Sequence, residues 1–186
     1  DDLVDMKIAN AVVLKEGYEM KKEFSNALAD YYEAYVRTMK FDSKAVEAIN
    51  DWCDEHTEGM IPEIIERIPD GACLFALNAL YFKGEWANKF EKKDTEKADF
   101  TNIDGSTSKT QMMQKEDWFD YTSNDMFATV RLPYGNGSYG MYVLLPHESK
   151  SINEVIEALD AETWEATRRK MYESKVNLKL PSFETE

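Results

Sequence analysis

The sequence contains 186 residues, of which 36 are acidic and 22 are basic, and its formal net charge is −14. This charge excludes ordinary nucleic-acid binding, which needs a basic surface to displace counterions, and disfavours docking on an anionic membrane. A hydrophobic share of 43% is too high for a disordered acidic tail, and the length corresponds to one domain with a sizeable core. No apolar run reaches the roughly 18 residues that a membrane-spanning helix needs.

The two cysteines, Cys53 and Cys73, allow one disulfide bond at most and do not indicate a cellular compartment. The chain begins with Asp1, without an initiator methionine, a basic stretch or an apolar leader. The chain ends within a strand-like run. Both ends therefore predict an interior piece of a longer chain.

The first part of the chain alternates strands and helices, with strands predicted at 6–14 and 35–39 and a helix around 24–31. A second helix is predicted over 43–56, capped by Asp42 and Ser43. Its apolar face, at steps of three and four residues, consists of Val46, Ile49 and Cys53, and the opposite face is acidic. Gly59 and Pro62 end this helix, and a short helical turn is expected at 63–68.

Residues 72–82 form the strongest apolar run, which is interrupted only by Asn78. The run predicts a central strand buried on both faces, with a buried helix as the alternative. An amide inside such a strand needs hydrogen-bond partners, because an unmet buried polar group costs about 1–3 kcal/mol. Asn78 is therefore a satisfied structural amide, a side chain that faces a hydrated layer, or part of a polar network where the sheet must open.

Two turn signals, Asp104-Gly105 and Asn136-Gly137, predict hairpins in the second part of the chain. Short helices are expected at 151–159 and 162–171, and a last strand at 176–183. Long strands from separated parts of the chain, with helices between them, predict a mixed α+β architecture.

No residue pattern supports catalysis, a metal site or a cofactor. Cys53 and His56 have a spacing that could serve zinc, but the other candidate ligands, Cys73 and His147, lack local ligand spacing. No nucleophile motif is present, and the glycines at 135–137 lack the Lys-Ser/Thr of a phosphate loop. Trp86, which follows the apolar run, is either core filler or a latch at the end of the strand.

The run LNALYFKGEW at 77–86, followed by Phe90 and Thr95, resembles the serpin signature around the third strand of that family's main sheet. Similar segments follow in serpin order: Phe100, 111–113, 132–134, 140–146 and 176–183. Upstream, the segments 49–52 and 57–61 are similar to serpin helix F. The resemblance covers nearly the whole chain.

The resemblance implies a serpin-like α+β fold with mixed β-sheets A, B and C and surrounding helices. The chain would run from strand 2 of sheet A, through helices E and F and strand 3, to strand 6 of sheet A. Residues 1–186 would then be one partial serpin domain. Helices A to D, strand 5A, the reactive-centre loop and the last strands would be missing from it.

The resemblance also implies a function: inhibition of serine proteases, or alternatively cysteine proteases, by a suicide-substrate trap. The target protease cleaves the reactive-centre loop, which then inserts beside the strand at 72–82. This insertion converts the metastable fold into the loop-inserted form. In this interpretation Asn78 and Trp86 belong to the shutter and breach regions that control the opening of the sheet. The bait residue lies outside this chain.

The implied partners are the target protease and the rest of the serpin chain, with no nucleic acid, membrane or cofactor. The implied location is extracellular, with an intracellular one as the alternative. A non-inhibitory serpin acting as a carrier, chaperone or storage protein is the second hypothesis. An acidic α+β hydrolase is the third, and it requires a nucleophile that the sequence does not reveal.

Overall fold

The computed structural model describes residues 3–183. Its elements in chain order are β1 (Val4–Lys15), α1 (Lys22–Tyr32), β2 (Tyr35–Met39), α2 (Ser43–His56), β3 (Leu74–Gly84), β4 (Thr95–Thr101), β5 (Thr107–Ser123), β6 (Phe127–Tyr134), β7 (Tyr139–Pro146), α3 (Ile152–Ala158), α4 (Ala161–Arg169) and β8 (Tyr172–Pro181). The fold is α+β. None of the described helices is long and apolar enough to cross a membrane. The chain divides into two compact units, residues 2–83 and residues 84–186.

The first unit is built around a three-stranded sheet with the order β2-β1-β3. β1 and β2 are parallel, and their register places Ala11 beside Tyr35 and Val13 beside Arg37. Because successive side chains of a strand point to opposite faces, Ala11 and Val13 share one face of β1. α2 packs on that face.

α2 begins and ends as the sequence predicts. Asp42 caps it by accepting a hydrogen bond from the backbone N–H of Lys44 at 3.0 Å. The buried stripe is Ala45, Ile49 and Cys53, whereas Val46 is only half-buried. The predicted face is therefore confirmed at two of its three positions. Alanine has no side chain beyond Cβ, so the first turn of the helix can approach the sheet closely at Ala45.

The helical turn predicted at 63–68 is wrong, because this segment is irregular. The side chain of Asn50 takes the backbone groups that a helical turn would pair internally. Its Oδ1 accepts hydrogen bonds from the N–H groups of Ile64 and Ile65 at 3.0 and 3.1 Å, and its Nδ2 donates to the Ile65 carbonyl at 2.9 Å. Local sequence favoured a turn of helix, but a side chain fourteen residues away satisfies the backbone instead.

The second unit contains a five-stranded sheet in which β4, β5, β6 and β7 are consecutive neighbours and β8 pairs with β5. Both predicted hairpins are confirmed: Gly105 and Gly137 have φ of +80° and +87°, which favours glycine in these turns. β5 is 17 residues long and pairs with β4, β6 and β8. The buried core lies on this ladder and consists of Phe119, Val130, Leu132, Leu178 and Leu180.

The last predicted strand, 176–183, is found as β8, which begins four residues earlier and ends at Pro181. β8 is antiparallel to β5, with Leu180 opposite Met113. Residues 172–181 pair with β5 and therefore do not form the last strand of sheet A that the resemblance implies. Residues 184–186 lie outside the described residues.

The two cysteines offer a direct test of how α2 packs. Cys53 is 3% exposed on the sheet-facing side of α2, and burial raises the pKa of its thiol, whereas Cys73 is exposed. Since the thiolate is the reactive form, we expect iodoacetamide to modify Cys73 at least about tenfold faster than Cys53 in the native full-length protein. Peptide mass spectrometry over time measures both rates. Comparable rates without denaturant would contradict the packing of α2.

Candidate strand-insertion site

β3 lies at the edge of the first sheet, because in the described residues it has one neighbour, β1. Among its eleven residues only Ala79 is buried, and Leu80 and Phe82 are 55% and 37% exposed. The prediction of a strand buried on both faces is therefore wrong for this chain. A central strand needs a neighbour on each side and cover on both faces. β3 has the sequence of such a strand but an open edge.

Asn78 is exposed in this chain, so the prediction of a buried amide is also corrected. Its Nδ2 donates a hydrogen bond to Asn10 Oδ1 at 2.9 Å and lies 3.5 Å from the Ala9 carbonyl oxygen. Asn10 Nδ2 in turn donates to the carbonyl of Tyr32, in the last turn of α1, at 3.0 Å. A chain of amides thus links β3 through β1 to α1.

Sequence reasoning missed Asn10, although a signal was present. Asn10 lies in the apolar run 6–14, just as Asn78 lies in the run 72–82, and each is an amide inside a predicted strand. What the sequence did not reveal is that the two strands are neighbours, because 68 residues separate the two amides.

A cation forms a second link across this unit. Lys7 of β1 forms an ion pair with Glu58, which follows α2, and its Nζ lies 5.8 Å from the ring centroid of Tyr81 on β3. The hydrogen bond raises the pKa of Lys7 and lowers the pKa of Glu58. Glu58 has φ +53°, a left-handed conformation that is uncommon for a residue with a side chain. One lysine therefore connects β1, the end of α2 and β3.

Trp86 belongs to the second unit, where its contacts fit both sequence interpretations. Its indole stacks on Tyr134 with a centroid distance of 4.4 Å and an interplanar angle of 14°, and burial raises the pKa of Tyr134. The backbone around it bonds to the end of β6: Ala87 N–H donates to the Pro133 carbonyl, and Gly135 N–H donates to the Glu85 carbonyl, both at 2.9 Å. Trp86 therefore fills space beside the core and also fixes the segment that follows β3.

Cys53 and His56, the candidate zinc pair, contact other groups. His56 stacks on Trp52 with a centroid distance of 4.5 Å, and its Nδ1 lies 2.8 Å from the Trp52 carbonyl oxygen. No group of three or more metal-ligating side chains occurs within the described range.

The structure brings together one serine–histidine pair that sequence reasoning did not find. Ser123 Oγ lies 3.3 Å from His147 Nε2, which also lies 2.8 Å from the carbonyl oxygen of Asn124. A carbonyl oxygen only accepts hydrogen bonds, so Nε2 carries the proton. A protonated nitrogen cannot accept the proton of Ser123, and the pair therefore lacks the geometry of a nucleophile with its base.

Comparison with known proteins places this geometry in a family. The family model described as "Serpin (serine protease inhibitor)" matches residues 1–186. The chain is 30% identical to antichymotrypsin-2 of Bombyx mori over 98% of this chain and 51% of that protein. It is 32% identical to iripin-8 of Ixodes ricinus over 96% of this chain and 46% of that protein.

Among solved structures, the chain is similar to the native state of tengpin, a thermophilic serpin, with a TM-score of 0.91 and 30% identity. That match covers 98% of this chain and 47% of tengpin. The chain thus spans about half the length of the curated relatives that it matches. The family model covers the whole chain, and the chain therefore belongs to the serpin family.

Proposed function

We propose that the protein containing this chain inhibits serine proteases by inserting its cleaved reactive-centre loop beside β3. The observation that carries the proposal is β3 itself, an eleven-residue and largely apolar strand that pairs with β1 on one side and presents its other edge to a strand from outside the described residues. An added strand would pair with the backbone N–H and C=O groups that point away from β1 and would cover apolar surface. The inhibitor names of relatives such as antichymotrypsin-2 support the same direction.

In this mechanism the chemistry belongs to the protease, and the serpin is not an enzyme. The catalytic serine of the protease attacks the carbonyl of the bait residue, and the peptide bond breaks to leave an ester between the two proteins. The loop then pairs with β3 before water hydrolyses the ester. This chain supplies the strand on which the loop pairs, and the bait residue lies elsewhere in the full-length protein.

We further propose roles for the two site residues. Asn78, through Asn10, holds β3 to β1 and α1 while the sheet remains separable at its other edge. Trp86 fixes the chain directly after β3 by its stacking on Tyr134. Both are positioning residues, since neither touches the reacting bond. We also propose, by analogy with the family, that the protein acts outside the cell. Detection of the full-length protein in the culture medium of cells that produce it tests this proposal.

The experiment is incubation of the full-length protein with chymotrypsin, trypsin and elastase, followed by denaturing electrophoresis and thermal unfolding. We expect an SDS-stable complex with at least one protease and a cleaved form that unfolds at a higher temperature. A synthetic peptide with the loop sequence should occupy the edge of β3 and convert the inhibitor into a substrate. The control is each protease with its catalytic serine replaced by alanine, which should form no covalent complex.

Loop cleavage without a covalent complex and without thermal stabilisation would contradict the proposal. That outcome would favour a non-inhibitory serpin that acts as a carrier, chaperone or storage protein.

A further inference from the structure

A groove of about 420 Å³ lies between α2 and the β1–β2 part of the first sheet. The sheet wall follows from the parallel register, which places Tyr35 and Arg37 of β2 beside Ala11 and Val13 of β1. The helix wall is a stripe at helical spacing next to the buried stripe of α2, formed by Ala48, Asp51, Trp52, Glu55 and His56. The groove lies on the β2 side of β1, whereas the open edge of the sheet belongs to β3.

The two walls carry unpaired charges of opposite sign. Arg37 is on the sheet wall, and Asp51 and Glu55 are on the helix wall. Within residues 3–183, none of these three side chains forms an ion pair or a hydrogen bond. Ten ion pairs form elsewhere in the same range, so opposite charges that lie within reach of each other do pair in this protein. The gap between the walls separates Arg37 from Asp51 and Glu55.

Between the charges the groove is apolar and aromatic. The indole of Trp52 is half-buried and stacked on His56, and the Tyr35 ring stands 51% exposed on the opposite wall. Ala11, Val13 and Met39 provide apolar surface on the sheet side. A planar ring placed here would contact aromatic faces and aliphatic side chains, which is the usual composition of a small-molecule site.

We propose that this groove binds a small aromatic zwitterion. The carboxylate of the ligand pairs with the Arg37 guanidinium, its amine pairs with the carboxylates of Asp51 and Glu55, and its ring packs against Trp52. A ligand with only one charge leaves the opposite wall unpaired. The inference does not depend on protease inhibition. Because the bound ligand would bridge β2 and α2, it would also hold the helix on the sheet.

The test uses the full-length protein and three matched probes: 4-(aminomethyl)benzoic acid, 4-methylbenzoic acid and 4-methylbenzylamine. Binding is measured by ligand-observed NMR and by the change in tryptophan fluorescence. The variant Trp52→Phe tests whether that fluorescence change comes from Trp52. We expect the zwitterion to bind at least about tenfold more tightly than either compound with one charge. Hydrogen exchange of the α2 backbone should slow when the zwitterion is bound.

Substitutions separate the two contacts. Arg37→Met should lower the affinity for the zwitterion about tenfold and leave the affinity for the benzylamine unchanged. The double variant Asp51→Asn with Glu55→Gln should also lower the affinity for the zwitterion about tenfold, but leave the affinity for the benzoate unchanged. Lys40→Met and Glu47→Gln remove equivalent exposed charges outside the groove and should change nothing. Equal affinities for the three probes, an unchanged affinity in Arg37→Met, or no saturable binding up to about 10 mM would overturn the proposal.

Discussion

The isolated 186-residue chain is expected to self-associate instead of remaining a stable monomer. Among the described residues β3 is the last strand of the first sheet, and such an edge is a template for pairing with another chain. Asn10 and Asn78 are hydrogen-bonded and therefore share a face of the sheet, and alternation places on that face four apolar side chains that are at least one-third exposed. They are Met6, Ile8, Leu80 and Phe82.

Sedimentation velocity at about 10 µM measures this association, since exposed edges and apolar faces aggregate at micromolar concentrations. Leu80→Lys places a charge on the edge strand and should reduce the association. Tyr31→Lys is the matched control: it makes a similar change on α1, where the side chain is 82% exposed, and should leave association unchanged. A monodisperse monomer that unfolds cooperatively would contradict the prediction.

Features with a local cause could be predicted from the sequence. The bounds of α2 follow from the Asp42 cap and the helical apolar period, and both hairpins follow from a turn residue before glycine. The family signature then specified how the strands of an α+β protein are arranged. The helix and hairpin signals are reliable because the physical cause of each lies within a few residues of its effect.

What could not be predicted depends on contacts between distant residues. The helical turn expected at 63–68 failed because Asn50 satisfies that backbone, and nothing within the segment indicates it. The Asn78 pattern indicated an amide in need of partners but not that Asn10 is the partner, since the pairing of β1 with β3 is a long-range contact. The apolar composition of β3 likewise predicts a strand that is buried between other elements. The solvent exposure of β3 depends on whether those elements are present, and its own sequence does not show this.

Asn78→Ala in the full-length protein is expected to lower the melting temperature of the native state and to accelerate polymerisation or conversion to the latent form. The substitution removes the donor to Asn10 Oδ1 and leaves that oxygen without this hydrogen bond. The loss should be on the order of 1–3 kcal/mol where the full-length protein covers this face. At about 2–4 °C per kcal/mol, the ratio for domains of 150–250 residues, this corresponds to a melting shift of at most about 2–12 °C in the longer full-length protein.

The decisive comparison is between native and loop-cleaved protein. By resemblance Asn78 belongs to the shutter of the sheet and the native serpin state is metastable, so the loss should fall mainly on the native state and the loop-inserted form should be nearly unaffected. Asn10→Ala should reproduce the effect, because it breaks the same amide chain at its centre. Asn102→Ala removes an amide bonded to Ser106 in an exposed hairpin and serves as the control that should affect both forms alike. Differential scanning calorimetry of both forms measures the difference, and equal destabilisation by Asn78→Ala would reduce Asn78 to a structural amide.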